Sequence, residues 1–243
     1  MTFLLLACAL LSSDPVTPIL SALPQGTVHQ RMDAASRMLM GRPYLLGPMG
    51  EGDASLGEAK PRVRLDSLDC VTFIEQSEAF ARSQDTASFR RILDSIRYEK
   101  AKVRWETRNH WMECGWFSSN ASRVRLLNLP GSVEETRTLG LKAFFAAHGI
   151  ARKDSNLTLR YLPRDRAIEW LRNGKNLTRI HGVGLVGKVP SIFLLHTGFL
   201  MPGPDGIGLR HASQTGTVKQ EPASLYLESK AKFKGIVVWE YLP

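Results

Sequence analysis

The chain has no apolar run approaching the roughly 18–20 residues that a bilayer-spanning helix needs, so no membrane span is expected. Cysteine is scarce: Cys8, Cys70 and Cys114 are the only three in 243 residues. None belongs to a CxxC pair or to a Cys/His cluster with zinc-ligand spacing, so neither a structural metal nor a cofactor is expected. A Cys70–Cys114 disulfide is arithmetically open but would block a reactive thiol, and both are read as reduced. Acidic residues are outnumbered, 23 against 32 basic, for a net charge of +9. That balance first suggests nucleic acid. However, arginine-rich arm, zinc finger and aromatic-basic RNA motif are all missing, and the basic residues are scattered (Arg62 and Arg64, Arg90 and Arg91, Arg123 and Arg125, Lys230, Lys232 and Lys234). Nucleic acid is therefore not expected as a partner; an anionic wall polymer or a plainly solvated basic face accounts for the charge. Internal repeats and low-complexity linkers are also absent, and 43% hydrophobic residues suffice for one core, so a single domain is expected over 26–243.

Residues 1–13 carry the short apolar stretch Thr2-Phe3-Leu4-Leu5-Leu6-Ala7-Cys8-Ala9-Leu10-Leu11 followed by polar residues. It reads as the core of a secretory signal, without the usual basic leader. Leu5-Leu6-Ala7-Cys8 is also similar to a lipoprotein box, in which Cys8 would carry lipid and anchor the protein to a membrane. A buried apolar N-terminal element is the remaining reading. The first two place the protein in the periplasm or outside the cell.

A proline-rich connection (Pro15, Pro18, Pro24) is expected next, then helices over 29–40, 69–82 and 86–99, where apolar residues recur at helical spacing. Asp85 or Thr86 suits the cap of the third. Loops are expected at 44–50 and 50–60, and a short extended segment at 62–65. The stretch 103–121 is aromatic and irregular. Ser132 and Glu135 have capping-box spacing, and 139–147 fits helix or strand equally. A strand over 157–161 and a helix over 165–172 follow. Segments 183–186, 191–201, 207–211 and 235–241 are rich in Val, Ile, Leu and aromatics and punctuated by Gly and Pro, with a hairpin turn at 202–206. Helices first and an antiparallel sheet after give an α+β class.

Chemistry concentrates on one sulfur and two imidazoles. Cys70 opens a predicted helix, where first-turn N–H groups favour an anion; a buried, inert cysteine is the alternative. His196, two residues before Gly198, suits a base that takes the thiol proton and returns it to a leaving amine. Gly198 is small enough to admit a substrate backbone. His211 stands fifteen residues further on, a gap that a strand, the turn and a return strand fill, so it can orient His196 from the neighbouring strand. Asp69 beside the cysteine suits either the substrate site or the helix cap, since an ionised carboxylate cannot donate to an oxyanion. Arg108, Asn109 and His110 form a second polar group, fit for a carboxylate and a peptide amide or for bracing the aromatic loop. Trp111 and Trp116 suit a sugar ring or a core. His148 and His181 read as structural.

Gly41-Arg42-Pro43-Tyr44-x-x-Gly47, then Asp69-Cys70 and a His-x-Gly, resembles the NlpC-type papain-like cysteine peptidases of bacterial cell walls. More narrowly, Asp69-Cys70-Val71-Thr72-Phe73-Ile74-Glu75, Arg108-Asn109-His110-Trp111 and His211-Ala212-Ser213 resemble the bacterial N-acetylmuramoyl-L-alanine amidase-like family, domain of unknown function 1460. The resemblance runs from about Asp33 to the C-terminus. It implies a papain-like fold with N-terminal helices on an antiparallel sheet, a Cys70-His196-His211 triad, and peptidoglycan fragments as substrate. It also implies Tyr44 as a hydroxyl donor near the thiol, and Arg108 facing the D-glutamate or diaminopimelate carboxylates of the wall peptide. The bond cut would be the N-acetylmuramoyl–L-alanine amide or a stem peptide bond; a non-catalytic wall-binding module on the same fold is the alternative. Two departures stand out: Leu195-His196-Thr197-Gly198 lacks the family's serine and valine, and Glu113-Cys114-Gly115-Trp116 alters an acidic-tryptophan pair.

Overall fold

Helices begin where the sequence supplies a cap. The structure, a computed structural model, describes residues 14–49, 62–173, 177–203 and 206–243. The apolar leader with Cys8, the loop 50–60 and the tip of the 202–206 turn lie outside the described residues. Helix α1 (Val16–Ala22) replaces the expected proline-rich connection. Pro15 stands at its cap and Pro18 within its first turn, where backbone N–H groups have no intrahelical partner to lose. Val16 and Leu23 already belong to the main core. Helices α2 (Val28–Met38), α3 (Cys70–Arg82) and α4 (Thr86–Arg97) each open with a reciprocal capping box, formed by Thr27 with Gln30, Asp69 with Thr72, and Asp85 with Ser88.

The aromatic stretch folds as a 3-10 turn at Trp105–Thr107 and a π-helical turn at Met112–Trp116 that runs into α5 (Phe117–Ser119). Strands β1 (Val124–Leu126) and β2 (Val133–Leu139) follow. The capping box expected at Ser132 and Glu135 is thus a correction. Glu135 lies in β2, and its carboxylate accepts from Arg137 and Tyr161 rather than turning back on Ser132. Helix α6 (Leu141–Ala146) resolves the ambiguous segment as helix. Then come β3 (Ser155–Pro163), α7 (Arg164–Asn173), β4 (His181–Gly187), β5 (Leu194–Gly203), β6 (Gly206–Ala212), β7 (Val218–Pro222), α8 (Ala223–Ser229) and β8 (Phe233–Tyr241). Residues 62–65 join no ladder.

All strand pairs are antiparallel, in the order β2-β3-β8-β4-β5-β6-β7 with β1 against β8. The class is α+β, as the order of helix and strand signals implies. The sheet separates two cores. On one side Phe199, Val237, Trp239 and Tyr241 pack with Phe73, Phe80 and Met32 of the N-terminal helices. On the other, Val183, Leu200, Leu209 and Val238 meet Ile168 and Leu171 of α7 and Leu227 of α8. Alternation along each strand produces this split.

Helix α3 is fixed against the sheet from several directions. Phe73 meets Phe199 edge-on, with ring centroids 5.3 Å apart. Buried Arg31 of α2 donates to the carbonyls of Phe80, Ala81 and Ser83 at its C-terminal end. Buried Arg97 of α4 pairs with Glu75 at 2.7 Å. Removing one partner of such a buried pair typically costs about 3–5 kcal/mol. The first turn of α3, and Cys70 with it, is therefore rigidly placed.

Candidate active site

The capping box determines which amides surround the sulfur. Of the orphan N–H groups at the start of α3, that of Asp69 goes to Thr72 Oγ1 (3.0 Å) and that of Thr72 to Asp69 Oδ1 (2.7 Å). The N–H groups of Cys70 and Val71 are directed at the Cys70 sulfur. Asp69 thus acts as the helix cap, beside the thiol.

A third amide reaches the sulfur from the sheet. The β5–β6 ladder runs only from Phe199↔Arg210 to Gly203↔Gly206. Beyond Phe199 the two strands part, and the N–H of Thr197 turns to Cys70. The Thr197 hydroxyl is held by the Val183 carbonyl at 2.8 Å. Cys70 and Cys114 are both free thiols, each partly accessible to solvent.

The two histidines stand together on β5 and β6. Arg210 sends its guanidinium to Asp33 and Ser36 of α2, so its neighbour His211 points to the opposite side of the sheet. There the Tyr226 ring of α8 lies 4.8 Å from His211 and 6.0 Å from His196. His196 Nε2 and His211 Nδ1 are 2.6 Å apart, and His211 Nε2 is 2.8 Å from Glu221 Oε1. Glu221 also receives Lys219 at 2.9 Å.

This chain of contacts fixes the protons. Burial holds His196 well below the usual histidine range, helped by the neighbouring His211 and by Lys232. Burial lowers His211 too, against the opposing hydrogen bond to Glu221. Burial alone would raise Glu221, but hydrogen bonds from Lys219 and His211 outweigh it and keep the group ionised. A carboxylate can only accept, so His211 Nε2 donates to Glu221. Neutral His211 then has a lone pair at Nδ1, and His196 must donate its Nε2–H to it. His196 is left with its lone pair on Nδ1, which has no hydrogen bond among the described residues.

The thiol differs from the expectation of a helix-stabilised anion. Although Cys70 keeps some solvent access, the crowding around its sulfur pushes it up to about 12. The Asp69 carboxylate adds to this rise, against the three amides. The resting pair is a neutral thiol and a neutral imidazole. The two histidines are joined directly. Cys70 is reached by the amide of Thr197, the neighbour of His196, and its charge is felt at Tyr226, whose ring packs on both histidines; no sulfur–imidazole hydrogen bond is present among the described residues.

The other expected site residues lie around the α3 first turn. Tyr44 bridges Leu68, and its phenol, hydrogen-bonded by the Gln214 side chain, is raised by burial and by the charge of Cys70. Arg108 is buried, with one guanidinium nitrogen 3.4 Å from the Met49 carbonyl. Asn109 spends its side chain on the Ile96 carbonyl and the Ser119 hydroxyl, and His110 Nε2 meets the Trp105 carbonyl at 2.9 Å. These two brace the aromatic loop. Trp111 stacks on Phe145 beside a cavity of about 570 Å³ that Arg108, His110 and Arg152 also line. A narrow cleft with Asp69, Val71 and Thr72 of the α3 start on its wall shares Arg108, Asn109 and His110 with that cavity. Trp116 is fully buried, His148 packs on Trp105, and His181 Nδ1 meets the Arg179 carbonyl. Glu113 accepts the Phe193 N–H at 2.7 Å and so pins the entry to β5.

Gly198 also has a use inside the fold. A Cβ there would stand 2.8 Å from the Arg210 carbonyl and 2.9 Å from the His211 Cβ, so its missing side chain lets His211 approach. Glu221, Tyr226 and the Thr197 amide were not singled out by sequence. For Glu221 the one available signal was its place two residues after Lys219, on a strand pairing with His211.

Comparison with known proteins agrees with the fold. Among solved structures, a Legionella pneumophila protein assigned to domain of unknown function 1460 superposes with a TM-score of 0.78 at 18% identity, covering 94% of this chain and 93% of that one. A Bacteroides uniformis N-acetylmuramoyl-L-alanine amidase superposes with a TM-score of 0.72 at 18% identity, covering 90% of this chain and all of that one. At such identity these likenesses establish the fold. No curated protein sequence matches. The sequence model of the AmiA-like, N-acetylmuramoyl-L-alanine amidase-like family matches residues 34–236. With most of its length covered by that match, the chain belongs to the N-acetylmuramoyl-L-alanine amidase-like family.

Proposed function

We propose that this protein is a thiol-dependent amidohydrolase that cuts the bond between N-acetylmuramic acid and L-alanine in peptidoglycan fragments. The observation that carries the reading is the Glu221–His211–His196 chain, which leaves an uncommitted Nδ1 lone pair on His196, next in sequence to the Thr197 amide that reaches the Cys70 sulfur at a helix N-terminus. Membership of an N-acetylmuramoyl-L-alanine amidase-like family favours this bond.

The steps follow from the proton positions. The thiol proton moves to His196 Nδ1 as sulfur adds to the lactoyl carbonyl carbon. The resulting imidazolium still donates through Nε2 to His211, which relays the stabilising charge of Glu221. The oxyanion meets the N–H groups of the α3 first turn; one such donor is worth about 3 kcal/mol in related chemistry. Collapse breaks the C–N bond, and His196 gives its proton to the alanine nitrogen. Water then adds to the thioester carbonyl, its proton passing through His196, and acid and thiol are released. Since thiol and base are both neutral at rest, the sulfur becomes nucleophilic only as the proton leaves.

Mass spectrometry of a digest of N-acetylmuramoyl-L-alanyl-D-glutamate tests this reading. Free N-acetylmuramic acid and intact L-Ala-D-Glu are expected. Loss of D-glutamate alone would make the protein a stem endopeptidase, and an unchanged substrate would refute the hydrolase.

A further inference from the structure

A second cavity of about 160 Å³ has Glu221, the carboxylate end of the histidine chain, on its wall and shares no lining residue with the 570 Å³ cavity. Lys219, Lys230 and Lys232 line it together with Tyr226, Ser213 and Ser229. Its one lining carboxylate, Glu221, is occupied by His211 and Lys219. The Lys230 ammonium sits 5.9 Å from the Tyr226 ring centroid and that of Lys232 5.1 Å from the Phe233 ring centroid. Neither makes an ion pair among the described residues. Both charges are felt at the site: Lys230 acts on His211 and Lys232 on His196. Two uncompensated ammonium groups beside a buried histidine pair weaken the base, a cost that an arriving anion would remove.

We propose that this cavity is the subsite for a carboxylate on the departing peptide, with Lys230 and Lys232 as its specificity-determining residues. The inference rests on the hydrolase reading above and adds the direction in which the substrate lies. The proton that leaves the sulfur must be delivered by His196 to the departing nitrogen, so the departing half lies on the imidazole side. In an N-acetylmuramoyl–L-alanine amide that half is the acidic peptide. The acyl half, with its sugar, then faces the cleft toward Trp111. A carboxylate is the occupant that two lysines, without an ion pair among the described residues, recognise in so small a space.

The test compares two defined substrates, N-acetylmuramoyl-L-alanyl-D-glutamate and the same compound with both carboxylates amidated. For the wild type, kcat/KM is expected to favour the acid by about tenfold at low salt, chiefly through KM, and the preference should shrink above about 0.5 M NaCl. In Lys230→Gln/Lys232→Gln the acid-over-amide ratio should fall to near one, while Lys188→Gln, remote from the cavity, keeps the wild-type ratio. A wild type that cleaves both substrates equally, or a double variant that keeps the preference, overturns the subsite and leaves the hydrolase standing. A wild type that cleaves neither overturns both.

Discussion

The protonation state of Cys70 is the least intuitive feature of the site and can be measured directly. A thiol at a helix N-terminus beside a histidine is ordinarily expected to ionise early. Here burial, then the Asp69 carboxylate, pushes the thiol up to about 12, while burial keeps His196 neutral. A rise of about three pH units over an ordinary thiol corresponds to roughly 4 kcal/mol against the anion. At pH 7.5 fewer than about one sulfur in 10⁴ would be thiolate. The assay is iodoacetamide alkylation of the native protein from pH 6 to 9.5, with peptide mass spectrometry resolving Cys70 from Cys114. The Cys70 rate should climb about tenfold per pH unit without a plateau. His196→Ala should leave that profile nearly unaltered. Asp69→Asn, which retains a capping side chain but removes the charge, should speed alkylation at every pH. An acid-side plateau with a midpoint below about pH 7 that vanishes in His196→Ala would refute the reasoning, because it would show a preformed thiolate–imidazolium pair.

The histidine chain predicts a graded series. His196→Ala should lower kcat by about 10³-fold or more, His211→Ala somewhat less, and Glu221→Gln by about tenfold, as that variant keeps an acceptor oxygen but loses the charge. Steady-state kinetics on the defined muramyl peptide reads all three, and an unaffected Glu221→Gln removes the carboxylate from the relay. Gly198→Ala should displace His211 and cut kcat by at least about tenfold in protein that retains its fold by circular dichroism; full activity would show that the close approach is unimportant. For stability, His181 is lowered mainly by burial. The unfolded chain therefore takes up its proton first, near pH 6.5, and His181 stabilises fully above that value and progressively less as pH falls toward its folded pKa. Buried Glu78 and Glu113, whose carboxyls are raised by burial, act in the opposite sense, so the readout is a difference. Urea denaturation should show wild type losing stability relative to His181→Gln between pH 7 and 5, by at most about 1.4 kcal/mol per pH unit. Parallel curves would contradict it.

What could be read from the residues alone was whatever local physics specifies. The start of α3 is legible because Asp69 and Thr72 form a cap just ahead of an apolar helical stripe. The placement of His196 against His211 is legible because Gly and Pro mark one turn between two apolar segments. Glu221 was invisible for the opposite reason: Val218-Lys219-Gln220-Glu221-Pro222 is a short, charged edge strand without apolar alternation, recognisable only once paired with β6. The Thr197 amide is a backbone group, which no residue type announces. The direction of the Cys70 shift also eluded sequence, since the helix terminus argues for an anion while three-dimensional crowding and Asp69 argue against it. The Arg108-Asn109-His110 motif was found at the right end of the molecule, but Asn109 and His110 are spent inside the loop that holds Arg108.

The central claim is that one sulfur performs the cleavage. The most direct measurement is kcat/KM on N-acetylmuramoyl-L-alanyl-D-glutamate for wild type and Cys70→Ala, with thermal melting to confirm that the variant is folded. The account predicts a loss of at least about 10³-fold at an intact fold. Wild-type turnover by folded Cys70→Ala would contradict it.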